Sequence, residues 1–250
     1  MRTVRSLAVP FAAALLAAAP AAAQDLPPAA ELIERFNRVS GVTGLTGEDH
    51  GHLVYEMSVM GMTMRMENRW SGGDRLHVRM TTPFGDVAEF GRNGDVFWAV
   101  DPDDGPRLLT EEEMQAQRSA TSLGANVLSM ASIRSAETLE RTEVEGVPCY
   151  RIKVVDNSGV EAEHCLAVDG GALVSSTLWA AARSGGSTTT ILFQDYRDVG
   201  RHKVPGRLVI RAQGQEVVTT LTHASAEAQP DSVFDVPPAI RALLDAAPRP

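Results

Sequence analysis

The 250-residue chain is 44% hydrophobic and 22% charged, a balance that suits a water-soluble globular protein and is too polar for several membrane spans. Its 23 Lys and Arg stand against 32 Asp and Glu, so the basic face that nucleic acid binding requires is missing and no nucleic acid partner is expected. Two cysteines are too few for a disulfide-built scaffold or a closed four-cysteine zinc site, and the fold must rest on its core.

Residues 1–23 have the order of a secretory signal peptide: Arg2 and Arg5, an apolar run from Leu7 to Ala19, then Ala21-Ala22-Ala23 before Gln24. A retained membrane anchor fits poorly, because Pro10 and Pro20 bracket a run too short to span. Cleavage is expected near Ala23, and no cysteine follows the run to accept a lipid. Loss of Arg2 and Arg5 leaves 21 basic against 32 acidic residues, a net charge of -11 rather than -9. No repeat or low-complexity linker divides residues 24–250, which are read as one domain.

After Pro27-Pro28, the residues Leu32, Ile33, Phe36 and Val39 recur at helical spacing and predict one amphipathic helix ending near Gly41. The period then changes to two. A hairpin around Met60-Gly61 sets Val59 against Met62, Met57 against Met64 and Tyr55 against Met66 on one side, with Glu56 against Arg65 and Ser58 against Thr63 on the other. A turn at Gly72-Gly73-Asp74 continues the sheet, with Trp70 against Leu76 and Glu67 against Arg79. A further turn at Asn93-Gly94 would set Arg92 against Asp95.

Between residues 110 and 140 the strand pattern breaks. Thr110 and Glu113 form a capping box that opens a helix through about Arg118, and Leu123, Val127, Met130 and Ile133 predict a second. Strands resume in a hairpin that turns at Asp156-Asn157-Ser158-Gly159. Its expected register sets Cys149 opposite Cys165, Arg151 opposite Glu163, Lys153 opposite Glu161, Ile152 opposite Ala162 and Val154 opposite Val160. In an oxidising space the two cysteines could form a cross-strand disulfide on the polar face; two free neighbouring thiols are the alternative. Turns also fall at Asp169-Gly170-Gly171 and Gly185-Gly186. The fold class is therefore mainly β (α+β): an antiparallel sheet whose apolar face is covered by helices.

The run Gly94-Asp95-Val96-Phe97-Trp98-Ala99-Val100-Asp101-Pro102, then Gly105-Pro106-Arg107-Leu108-Leu109, then Asp195-Tyr196-Arg197-Asp198-Val199-Gly200 and Lys203-Val204-Pro205-Gly206-Arg207-Leu208, resembles the outer-membrane lipoprotein-sorting group. That group has the fold of the periplasmic lipoprotein carrier LolA and its acceptor LolB. The resemblance implies an incomplete antiparallel half-barrel wrapped around central helices, a periplasmic location and an apolar concave face that takes acyl chains. It further implies lipid or acylated lipoprotein cargo and transient contact with inner- or outer-membrane partners. An alternative keeps the fold and makes it a non-enzymatic envelope sensor or assembly scaffold.

The candidate acyl-chain face is Tyr55, Met57, Met62, Met64, Met66, Trp70, Val78 and Met80, with Trp98 added as a large strand aromatic. Unbranched thioethers repack around variable apolar chains, which suits a promiscuous lipid site; the same stripe would also serve as plain core. Met62, Met64 and Met66 could bind Cu(I), but no Cys or His lies within the run to complete a site. Asp49-His50-Gly51-His52 suggests a metal, since the two imidazoles share a strand face, yet no third ligand is fixed. Asp101, Asp103 and Asp104 lack the ladder of a calcium loop and read as a solvated turn. Arg107, Arg197 and Arg207 are expected in surface or edge ion pairs. No nucleophile elbow, zinc-protease helix or phosphate loop is present, so neither enzymatic activity nor a cofactor is expected.

Overall fold

The computed structural model describes residues 26–40, 48–59, 61–111, 113–114, 128, 132–157, 159–179 and 188–246. Helix α1 spans Ala29–Ser40. The first run of strands is β1 (His50–Val59), β2 (Met62–Ser71), β3 (Arg75–Thr81), β4 (Val87–Asn93), β5 (Val96–Asp101) and β6 (Gly105–Leu108). The second is β7 (Ile133–Val144), β8 (Val147–Asp156), β9 (Glu161–Ala167), β10 (Leu173–Trp179) and β11 (Thr188–Gln194). The chain closes with β12 (Arg197–Val199), β13 (His202–Val204), β14 (Arg207–Ala212), β15 (Gln215–Ser225), a 3-10 turn (Asp231–Phe234) and α2 (Pro238–Ala246). Signal cleavage, the helical positions Leu123, Val127 and Met130, and the Gly185-Gly186 turn lie outside the described residues.

Thirteen strands form one antiparallel sheet in the order β6-β5-β4-β3-β2-β1-β15-β14-β11-β10-β9-β8-β7. The sheet does not close into a barrel. Hairpins build each half, and the last strand pairs with the first, which joins the two halves at β1 and β15. Strands β6 and β7 lie at opposite edges of the sheet. Met114 and Leu128, at 2% and 1% exposure, belong to the main core. Among the described residues, no helix is long and apolar enough to span a membrane.

One face, here called inner, carries the continuous core. Leu53 and Tyr55 of β1, Met66 of β2, Val78 of β3, Phe90 of β4, Ala99 of β5, Ile152 and Val154 of β8, Leu166 of β9 and Leu208 of β14 all join it. Leu32, Ile33 and Phe36 of α1 pack into the same cluster, as their helical spacing requires. Burial of these side chains is the main favourable term holding helix to sheet. Glu31 in its first turn and Arg38 in its last complement the α1 dipole.

The first hairpins have the register expected from the sequence. Tyr55 faces Met66, Met57 faces Met64, Val59 faces Met62 and Glu56 faces Arg65. In the next pair Trp70 faces Leu76 and Glu67 faces Arg79. Two later registers differ. Arg92 lies opposite Phe97 rather than Asp95, because Gly94 and Asp95 form the loop and Gly94 takes φ 58°. The Arg92 guanidinium then sits over the Phe97 ring, 5.0 Å from its centroid.

The hairpin of β8 and β9 is shifted by two residues from the expected pairing: Arg151 faces Cys165, Lys153 faces Glu163 and Val154 faces Ala162. The cause is a longer loop, in which the Asp156 backbone donates to Val160 and the Val160 N–H also donates to the Asp156 carboxylate at 2.8 Å. A shift of two preserves the faces. Ile133, expected at the end of a helix, opens strand β7 instead, opposite Asp156. The capping box is present: the Thr110 N–H donates to Glu113 Oε2 at 2.8 Å and the Glu113 N–H to Thr110 Oγ1 at 3.2 Å.

Between β11 and β14 the small hairpin of β12 and β13 folds back, with α1 packed against β13. Gly206 makes this possible, because a Cβ there would lie 2.3 Å from the Asp195 carbonyl oxygen. Beyond β15 the chain returns along the outer face. Its 3-10 turn packs on β3 and β4, α2 packs on β6, and Asn93 donates to the Phe234 carbonyl at 3.0 Å.

Candidate functional site

The inner face of β1 to β3 gathers eight of the nine predicted ligand-facing residues. Cross-strand pairing and alternation put Tyr55, Met57, Met62, Met64, Met66, Trp70, Val78 and Met80 on one side. Their exposure is graded. Tyr55, Met66 and Val78 are buried at 3%, 8% and 2%, whereas Met57, Met64 and Met80 are half-buried and Met62 reaches 40%. The core therefore closes over the middle of the strands and opens toward the end of the β1–β2 hairpin.

Trp98 is the exception and is a correction. Phe97 and Ala99 pack against the core, so the residue between them points to the outer face. There it lies over Gly91, whose Cβ would fall 2.5 Å from the ring, with its centroid 5.7 Å from that of His77. The sequence Val96 to Val100 is apolar on both sides and carries no parity signal.

Two polar anchors fix the buried end of the stripe. The Tyr55 hydroxyl donates to the Pro205 carbonyl at 3.1 Å, and burial pushes its ionisation up. The Trp70 ring lies on Gly51 and meets His202 edge-on at 6.0 Å. His202 Nε2 in turn is 3.5 Å from Asp49, whose carboxylate accepts two hydrogen bonds from Arg201 at 2.5 Å. Asp49 thus ties β1 to the β12–β13 turn.

The residues considered for metals have protein partners. His50 Nδ1 is 3.0 Å from Ser71 Oγ, and His52 packs against His223 at 4.7 Å between ring centroids. Burial and the nearby Arg69 hold His52 below the usual imidazole range; burial does the same to His77. Asp101 accepts from the Asp103 and Asp104 backbones in a tight turn. Among the described residues, no group of three or more His, Cys, Asp and Glu is placed to hold a metal ion. Arg107 pairs with Glu113 at 3.0 Å as expected, while Arg207 donates to Gln194 at 2.5 Å, a neutral partner.

Cys149 and Cys165 form a disulfide with their Cα atoms 5.6 Å apart. Both are buried, in a small cluster with Ala167 and Val174 that is separate from the main core. They are not directly opposed, which corrects the expected pairing; they do lie on the face of Arg151, Lys153, Glu161 and Glu163, where they are buried.

One feature was not found from the sequence. His164 on β9 and Ser176 on β10 are paired and buried at 2% and 1%, with His164 Nδ1 2.8 Å from Ser176 Oγ. Burial alone pushes the imidazole down to about 4. The available signal was parity: His164 alternates with Ala162 and Leu166 on the apolar side of its strand.

The family described as a domain of unknown function (DUF4412) matches residues 108–240. No curated protein matches the sequence. Among solved structures, a LolA superfamily protein from Nitrosomonas europaea is similar over 84% of this chain and 98% of its own, with TM-score 0.56 and 12% identity. A DUF1329 family protein from Desulfovibrio piger is similar over 83% and 97%, with TM-score 0.57 and 11% identity. An outer membrane lipoprotein-sorting protein domain from Vibrio parahaemolyticus is similar over 82% and 97%, with TM-score 0.56 and 10% identity. At these identities the likeness establishes a LolA-like fold and leaves activity to the site itself.

Proposed function

The chain belongs to the family of the domain of unknown function DUF4412, and we propose that it serves as a periplasmic lipid- or lipoprotein-binding carrier, holding acyl chains against the inner face of its open sheet. The observation that carries this reading is the graded thioether stripe: Met66 is buried, Met57, Met64 and Met80 are half-buried, and Met62 is exposed. A stripe used only as core would be covered along its length, since leaving apolar side chains in water forgoes roughly 25 cal/mol per Å2. Thioethers at the open end can repack around chains of different length and branching. The half-barrel fold shared with the LolA superfamily protein agrees with this use.

The reading involves binding and release with no chemical step, so it calls for neither a catalytic residue nor a cofactor. Export through residues 1–23 would deliver the protein to the periplasm, where acylated cargo and membrane-bound partners meet it. The test is native mass spectrometry with lipid extraction, on protein exported through its own leader and purified without detergent. Added mass resolving into phospholipid or acylated peptide supports the carrier. A bare chain, with or without its leader, and no uptake from added lipid would overturn it.

A further inference from the structure

The second half of the inner face holds a polar group that the acyl-chain reading leaves unused. His164 sits between Ile152 of β8 and Ser176 of β10 in the same cross-strand row, with Ala162 and Leu166 before and after it on β9. Ile152 and Leu166 belong to the main core, so the imidazole faces the side on which acyl chains would lie. It is 2% exposed and bonded to Ser176 through Nδ1.

A buried hydroxyl left without an acceptor is costly, so the Ser176 proton goes to Nδ1, its bonded partner. That places the imidazole proton on Nε2. Among the described residues the ring's hydrogen bond is the one at Nδ1, and Nε2 is not one of the fully buried atoms without a partner, which leaves one oriented donor facing the apolar side. Its neighbours along and across the strands are uncharged, Ile152, Ala162, Leu166 and Ser176, and burial alone accounts for its low basicity. A carboxylate or phosphate would find no cation among these neighbours to offset its desolvation. A neutral carbonyl needs only one donor.

We propose that His164 Nε2–H is the recognition donor for a neutral acyl carbonyl, the ester or amide group that joins an acyl chain to a lipid or lipoprotein. The proposal rests on the acyl-chain reading of the inner face and adds to it the chemical class of the head that is read. Ser176 is a positioning residue that sets the tautomer, and His164 is the contact. Such a site favours esterified or amide-linked chains over free fatty acids and over plain alkanes.

The test measures displacement of a bound neutral fluorescent dye, N-phenyl-1-naphthylamine, by methyl dodecanoate, dodecane and dodecanoate, using the full-length exported protein and its H164L variant. The wild type is expected to bind the ester about tenfold tighter than the alkane, the scale of one well-placed neutral hydrogen bond in a dry site, and tighter than the carboxylate. H164L should lose that preference and keep its affinity for dodecane. An ester preference that survives in H164L, or a stronger response to dodecanoate, overturns the carbonyl contact alone. A wild type that binds none of the three overturns the acyl-chain reading and the contact with it. Should H164L fail to fold, the 15N-labelled wild type decides: ester addition must shift the His164 Nε2 resonance, and saturation without a shift refutes the proposal.

Discussion

Cys149 and Cys165 are bridged diagonally across a hairpin in which Cys149 faces Ala167 and Arg151 faces Cys165, yet their Cα atoms are 5.6 Å apart. The bridge spans a sequence separation of 16 and so constrains the unfolded chain as well as the hairpin. A closed loop of this size stabilises by about 3 kcal/mol in the chain-entropy account. Replacing both cysteines by alanine should therefore lower Tm by roughly 6–12 °C for a chain of this length. Thermal unfolding of the oxidised wild type against the double variant checks this, and equal melting temperatures would remove the bridge from the stability argument.

Two glycines make room for tryptophans, on opposite faces and with unequal tolerance. A Cβ at Gly51 would fall 2.0 Å from the Trp70 ring, a half-buried side chain that can swing outward. A Cβ at Gly91 would meet both the Trp98 ring at 2.5 Å and the Leu76 carbonyl oxygen at 2.8 Å, and a backbone atom in the middle of a sheet has little room to move. Overpacking commonly costs about 1–3 kcal/mol. G91A should thus destabilise more than G51A in urea unfolding, while G51A should give the larger red shift in tryptophan emission. The reverse order would mean that the sheet yields more easily than the Trp70 rotamer.

The first three strands were legible because both faces carried information. Glu56 with Arg65 and Glu67 with Arg79 fixed the same register as the methionine pairs, and a slip of one residue would have broken both. Around Gly159 the charges misled. Arg151 and Lys153 reach diagonally to Glu163 at 3.7 Å and Glu161 at 2.8 Å, so long side chains made a register two residues away look satisfied. What decided the pairing was the Asp156 carboxylate capping its own loop, a local bond with no trace in the strand pattern. Trp98 was misplaced for want of any parity signal. His164 carried that signal, but the sequence could not show that Ser176 would arrive beside it, because that pairing depends on the irregularity between Leu173 and Ser175.

Stability should depend on pH through the buried imidazole. His164 is held down to about 4 in the fold against an ordinary value of 6.5, so below neutrality the unfolded chain binds a proton that the native chain refuses. The stabilisation from keeping this group neutral is complete above pH 6.5, is lost as pH falls from 6.5 toward 4, and changes no further below that. The difference corresponds to about 3 kcal/mol over the window. His52 and His77 are lowered too and add slope of the same sign. Urea unfolding at pH 7 and pH 4.5 should show a smaller loss in H164L than in the wild type. Parallel losses would mean that His164 finds water or a partner when protonated.

Along the methionine stripe, stability and binding should separate. Met66 is 8% exposed and faces both Tyr55 and Met80, so M66A opens a cavity in the main core and should cost about 2–5 kcal/mol. Met62, at 40% exposure, supports little packing, and M62A should change stability by no more than about 0.5 kcal/mol. Met64 lies between them, half-buried on the inner face opposite Met57. If the exposed end of the stripe receives acyl chains, M62A and M64A together reduce the lipid that co-purifies while leaving Tm near the wild-type value. M66A does the converse, lowering Tm in proportion to the cavity. Lipid content that follows Tm across the three substitutions would assign the stripe to the core alone, because a carrier surface must be separable from the packing that supports it.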